Sequence, residues 1–183
     1  MSRNIEVTGK ERSFGDDEII VSKTDLKGRI TYANRVFLRV SGYEESEILG
    51  QPHSLIRHPD MPRCIFKLLW DTIQGGQEVF AYVNNRSKNG DNYWVYAHVT
   101  PSFDDSGKIA GYHSNRRVPD RGILDEIIIP LYKELKAAEQ QHGNRKEGLK
   151  ASQSIISAYL ADRSMAYDEF ILTVGQKNRR GYR

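Results

Sequence analysis

Hydrophobic and polar positions change their period more than once along this 183-residue chain. Short β-rich runs come first, Ile19-Ile20-Val21 and Ile30-Thr31-Tyr32. Between them lies Thr24-Asp25-Leu26-Lys27-Gly28, where Asp accepts local backbone bonds and Gly tolerates positive φ. A hairpin-like pair is predicted. Short helical pieces follow. Asn34 can cap a helix whose apolar side is Val36, Phe37 and Val40, and Gly42 ends it. Glu44, Glu45 and Glu47 open another turn of helix, where the macrodipole favours acids, and Gly50 and Pro52 break it. Asp60, with Pro62 in the first turn, starts a longer helix that runs to about Ile73 and buries Ile65, Phe66, Leu69 and Trp70. Gly75-Gly76 stops it.

The period then shortens to two. Val79 to Val83 reads as a strand, and Asn89-Gly90 marks a tight hairpin. From Tyr93 to Val99, Tyr93, Val95, Ala97 and Val99 take one face; Trp94, Tyr96 and His98 take the other. Asp104-Asp105-Ser106-Gly107 is a second turn, and Ile109 to His113 begins the last strand. This order predicts an α+β fold with a single antiparallel sheet and short helices on one side. Beyond Asp120, Leu124, Ile127, Leu131, Leu135 and Ala138 form a helical stripe, within which Pro130 imposes a start or a kink. Gly143 and Gly148 flank a polar break. A second stripe runs through Leu149, Ile156, Leu160, Tyr167, Ile171 and Val174. These stripes can pack on the sheet, on each other or on a second subunit. The expected organisation is a flexible leader or N-terminal cap over 1–17, a main domain over 18–120, a helical extension over 121–176 and a basic tail over 177–183.

Composition narrows the class. Hydrophobic residues make up 38% and charged residues 28%, as in a soluble globular chain. The net charge of +3 comes wholly from residues 121–183, and Lys177, Arg179, Arg180 and Arg183 crowd the end. No basic stripe with interleaved aromatics accompanies that tail, so nucleic acid is not an expected partner. The single cysteine, Cys64, excludes an intrachain disulfide and reads as a buried small residue. The N-terminus lacks an apolar signal core, and the run Ile127 to Tyr132 is far too short to span a bilayer. A cytoplasmic location without a membrane anchor is expected. There is no Walker loop, no Gly-x-Gly-x-x-Gly fingerprint and no spaced His/Cys set, so an enzyme or a metal site is not expected.

Specific segments carry a resemblance. They are Thr24-Asp25-Leu26, Ile30-Thr31-Tyr32-Ala33-Asn34, Val40-Ser41-Gly42-Tyr43, Gly50-Gln51-Pro52-His53, Arg57-His58-Pro59-Asp60-Met61-Pro62, Lys88-Asn89-Gly90-Asp91, Tyr93-Trp94-Val95 and Pro130-Leu131-Tyr132-Lys133. Over roughly residues 18–136 the chain resembles the PAS domains of bacterial aerotaxis receptors, and the Arg57–Pro62 run is the specific part. The resemblance implies a PAS sensory domain over 18–120 that binds FAD. It implies sensing of redox state or oxygen, as in aerotaxis and chemotaxis. It also implies signalling through the C-terminal helices to a homodimer mate or a partner protein with an output domain.

By position, the resemblance assigns Arg57, His58 and Asp60 to FAD retention and Asn34 and Asn85 to the cofactor cavity; His53 also matches. The chemistry is compatible. Arg57 offers a planar donor fork suited to a pyrophosphate. His58 can donate to a phosphate or ribose oxygen. Asp60 suits a ribose hydroxyl, or caps the helix. Asn85 carries both a donor and an acceptor, as the uracil-like edge of a flavin requires. Phe66, Trp70 and Trp94 offer stacking surface. Plainer roles stand beside these: core packing for Phe66 and Trp70, helix capping for Asn34, a structural histidine for His53 and a surface ion pair for Arg57. The chain departs from the family at Val79, where Trp is usual, with Phe80 and Tyr82 in place of smaller residues. A pocket packed by side chains, and hence a cofactor-free interaction module, is the alternative. A haem ligand is another, although residues 62–75 contain no His for the iron. Cys64 lies outside the Asn-Cys-Arg-Phe-Leu-Gln setting of photoactive LOV domains.

Overall fold

The computed structural model describes residues 5–174. They fall into two compact units: residues up to 59 together with 71–118, and residues 60–70 together with those from 119 onward.

In the first unit, β1 (Ile20–Thr24) and β2 (Ile30–Ala33) form the expected hairpin. Helix α1 (Arg35–Ser41) starts where Asn34 accepts from the Phe37 amide, and it ends at Gly42 with φ 73°. Only a residue that tolerates the left-handed region stops a helix this way at no cost. Helix α2 (Glu45–Ile48) opens with a reciprocal capping box between Glu44 and Glu47, and a 3-10 turn spans His53–Ile56. Strands β3 (Val79–Arg86), β4 (Asn92–Phe103) and β5 (Ile109–Arg117) complete the sheet. The order is β2-β1-β5-β4-β3, antiparallel at every pairing.

Register decides which side chains share a face. Across the sheet, Ile20, Arg116 and Ala97 align, as do Ser22, Ser114, Val99 and Val79. The same face carries Tyr93 beside Asn85 and Val95 beside Val83. Phe80, Tyr82 and Asn84 lie on the opposite face beside His98, Tyr96 and Trp94. Ile20, Ile30, Phe37, Ile48, Ile56, Tyr93 and Val95 form the unit's buried interior.

The described part of the leader is a cap. The Thr8 amide donates to the Gly90 carbonyl, and Lys10 and Arg12 exchange backbone bonds with Asn92. Arg12 also pairs with Asp91 at 3.0 Å. Gly90 is required there: its φ is 95°, and a Cβ would sit 2.1 Å from the Glu6 carbonyl oxygen.

The second unit holds the start of α3 (Arg63–Gln74), which begins one residue after Pro62 rather than around it. It also holds the C-terminal helices. Arg121–Ile123 (α4) runs through a π turn at Leu124–Ile128 into α5 (Ile129–Gln140). The π turn lies just before Pro130, whose ring and missing N–H disrupt an ordinary α turn. The second stripe is two helices, α6 (Arg145–Asp162) and α7 (Tyr167–Thr173), and not one. Ser164, with φ 50°, breaks it. Residues 177–183, the expected basic tail, lie outside the described residues.

One carboxylate organises this unit. Glu139, 3% exposed, accepts from Arg63 Nε at 2.9 Å, from the Cys64 amide at 3.0 Å and from the Ser152 hydroxyl at 3.0 Å. Gly148 allows α6 close to α5: a Cβ there would meet the Glu139 carbonyl oxygen at 2.5 Å. Burial pushes the Cys64 thiol up, so Cys64 is an inert core residue, as its sequence context suggests. Removing the carboxylate leaves the buried Cys64 amide without its acceptor and takes one bond each from Arg63 and Ser152, which retain the carbonyls of Arg145 and Leu149. We therefore expect Glu139→Ala to lower stability by about 2–3 kcal/mol, and Glu139→Gln by clearly less. Urea midpoints followed by circular dichroism read both values; equal losses would show that shape matters there and charge does not.

Candidate functional site

Residues 57 and 58 leave the 3-10 turn in extended conformation and run beside β3. The Arg57 backbone bridges to Asn85, and the His58 amide donates to the Asn84 carbonyl at 3.4 Å. His58 is buried at 6% exposure. Asn85 is also buried, and its Nδ2 has no partner among the described residues. Its cross-strand neighbour Tyr93 is fully buried, with a hydroxyl likewise unpartnered. Three predicted residues, Arg57, His58 and Asn85, are thus adjacent along the backbone. Beside them, Asn85 Nδ2 and Tyr93 Oη are buried polar atoms left unsatisfied among the described residues.

Asn34 is occupied differently. Its Oδ1 accepts from the Phe37 and Val21 amides at 2.9 and 3.0 Å, and its Nδ2 donates to the Ile19 carbonyl at 2.8 Å. It caps α1 and ties that helix to the start of β1. These three bonds tie its carboxamide to the fold.

Trp94 pairs with Asn84, so it projects from the sheet face opposite Asn85. The same alternation reinterprets the departure at Val79. Val79 is on the Asn85 face, whereas Phe80 and Tyr82 stand on the other. There Phe80 stacks on His98 at 4.1 Å, and Tyr82 meets Tyr96 at 5.0 Å between centroids. The two aromatics therefore do not fill the Asn85 side. Asp60, Phe66 and Trp70 belong to the second unit, where Asp60 is exposed and the two rings are half-buried.

Sequence reasoning missed one residue of the site. Arg116 of β5 is 2% exposed and lies on the Asn85 face. Its Nε donates to Ser114 Oγ at 3.0 Å, and its Nη2 donates to Ser22 Oγ and, at 3.0 Å, to His53 Nε2. Its guanidinium sits 5.1 Å over the Phe37 ring. Its Nη1 has no partner among the described residues. Burial lowers its pKa to about 10, which leaves it charged at neutral pH. Burial and the Arg116 charge hold His53 down to about 3. His53 is therefore a neutral acceptor at Nε2, which places its proton on Nδ1. Its resemblance-based assignment to the site thus acquires a partner. The signal for Arg116 was available: carrying the β5 alternation from Tyr112 through Ser114 puts an arginine on an inward position.

A family model described as "PAS fold" matches residues 30–115. Over those residues the chain has the PAS fold. It is 45% identical over 138 residues to the aerotaxis receptor of Escherichia coli K12, covering 75% of this chain and 27% of that protein. It is 30% identical over 99 residues to the nitrogen fixation regulatory protein of Klebsiella pneumoniae, covering 54% of this chain and 20% of that one. The chain thus spans about a quarter of these relatives or less. Among solved structures, the light state of the Aureochrome1 LOV blue-light photoreceptor superposes with a TM-score of 0.53 at 22% identity, over 63% of this chain and 91% of that one. That likeness supports the fold alone.

Among the described residues, no group of three or more His, Cys, Asp or Glu residues is arranged to hold a metal, and no helix is long and apolar enough to cross a membrane.

The His53 shift makes a pH prediction. The unfolded imidazole takes a proton near 6.5 and the folded one only near 3. Between those values the unfolded state binds more protons, so stability falls as pH drops through that window. Asp91, held near 2 by Thr8, Asn89 and Arg12, adds loss only below its ordinary 3.8. Urea midpoints from pH 7 to 4 should therefore fall for the parent protein and fall less for His53→Gln. Parallel curves would mean that the imidazole is not held neutral.

Proposed function

We propose that the PAS domain binds a flavin, FAD by its resemblance to the aerotaxis receptors, and works as a sensor of redox state or oxygen. The observation that carries this reading is a set of buried polar atoms on one sheet face without partners among the described residues: Asn85 Nδ2, Tyr93 Oη and Arg116 Nη1. Buried donors of this kind cost about 1–3 kcal/mol each when left unmade. A ring that carries carbonyl and nitrogen acceptors along one edge suits them. Asn85 serves that edge with its carboxamide. Arg57 and His58, which lie alongside β3, serve a pyrophosphate and ribose; Asp60 is assigned to the same cofactor by the resemblance alone. Phe66 and Trp70 remain candidates for apolar surface. A bound flavin supplies a group whose charge and hydrogen-bonding capacity change on reduction. The C-terminal helices would carry the response to a dimer mate or to a separate partner with an output domain, because a ligand shifts a conformational equilibrium only through unequal contacts in its two states.

The cofactor-free interaction module is the second reading. Its support was Val79, Phe80 and Tyr82, of which only Val79 lies on the Asn85 face.

The visible spectrum of the purified protein tests both readings. Bands of oxidised flavin, with FAD recovered on extraction, are expected; a colourless protein that FAD does not stabilise would sink the proposal, and a Soret band would favour haem. Ligand at a hundredfold over its dissociation constant should add about 2.7 kcal/mol of stability. Arg57→Ala and Asp60→Ala should each lose flavin while staying folded, whereas Trp94→Ala should keep it. Full occupancy in both of the first two variants would remove those residues from the site.

A further inference from the structure

Arg116 is a buried cation without an anion. Three of its five N–H donors are engaged, all by neutral acceptors: Ser114 Oγ, Ser22 Oγ and His53 Nε2. The two hydrogens on Nη1 have no partner among the described residues. Among the described residues no carboxylate bonds to it, and its titratable neighbours are His53 and Tyr93. Tyr93 is itself held neutral, its phenol pushed up by burial. The first unit therefore maintains a positive potential at the centre of the sheet face that also bears Asn85. Burying an ion in this way costs several kcal/mol unless something of opposite charge or strong acceptor character meets it. Two strand serines and the histidine of the 3-10 turn meet it with neutral acceptor atoms, and nothing among the described residues neutralises it.

We propose that Arg116 tunes the redox balance of the site by stabilising negative charge on the bound ligand. This rests on the flavin reading above. Two electrons and one proton from an external reductant leave one negative charge on a flavin ring, and a fixed cation favours that state over the oxidised one. Ser22, Ser114 and His53 are positioning residues for the guanidinium. His53 is suited to this because it is neutral: a protonated imidazole would repel Arg116 and surrender the Nε2 acceptor.

The test is a redox titration of the flavin-loaded protein with dithionite against a reference dye. Parent, Arg116→Lys, Arg116→Gln and Arg116→Met are compared, and folding is followed by circular dichroism. If charge is what matters, Gln and Met should weaken the preference for reduced over oxidised flavin at least tenfold, a lowering of about 30 mV for a two-electron couple. Lys should stay close to the parent. Equal potentials in all four proteins would overturn the proposal. So would unfolding of both neutral variants, or loss of flavin from both while folded, since Arg116 would then be a structural or a binding residue. Absence of flavin from the parent would instead defeat the flavin reading itself, and this inference with it.

Discussion

A guanidinium enclosed on one face of a β-sheet, with no carboxylate to meet it, sets the terms for the first unit. Arg116 is placed by β5, the central strand, between β1 and β4. Every neighbour it touches comes from a different element: Ser22 from β1, Ser114 from its own strand, His53 from the 3-10 turn and Phe37 from α1. Each accommodates a cation without neutralising it. Hydroxyl oxygens accept, the imidazole is held unprotonated, and the aromatic face presents its negative quadrupole. The short elements before α3 thus meet on one charge. An ion pair would have closed the matter within the protein. Leaving the charge open makes the face receptive.

The second unit solves the opposite problem. Glu139 is a buried anion, and it is fully answered by Arg63, the Cys64 amide and Ser152. The carboxylate binds the start of α3 to α5 and α6 within that unit. A closed pair of this kind fixes geometry; an open cation invites a ligand. The two clusters thus differ in how fully their buried polar groups are satisfied. The motif Arg57–Pro62 spans the division between the units, with Arg57 and His58 in the first and Asp60 in the second.

Much of this was legible in the chain. Turn chemistry at Asp25–Gly28 and Asn89–Gly90, the capping Asn34 and the period-two runs after residue 79 announced the elements and their order. Local chemistry specifies such features, and local chemistry is what a sequence displays. The motif at 57–62 and the polar Asn85 were legible as candidate ligands for the same reason. The aromatic candidates were less so. Trp94 and Asn85 both read as suitable flavin contacts, but strand pairing puts them on opposite faces, a relation set by register between two strands rather than by either strand alone. The same relation moved Phe80 and Tyr82 away from the face they were expected to obstruct.

By itself, then, the sequence determined an α+β sheet domain with short helices and a helical continuation. Capping, turns and alternation act over a few residues and need no partner to be recognised. Only the tertiary structure decided that the leader caps Asn92, that residues 60–70 join the C-terminal helices, and that Arg116 stands buried with a neutral His53 and no counter-charge. Burial and the lack of a partner are properties of distant segments brought together. An arginine in a strand looks like any other exposed cation until the fold shows which face it occupies and what that face withholds from it.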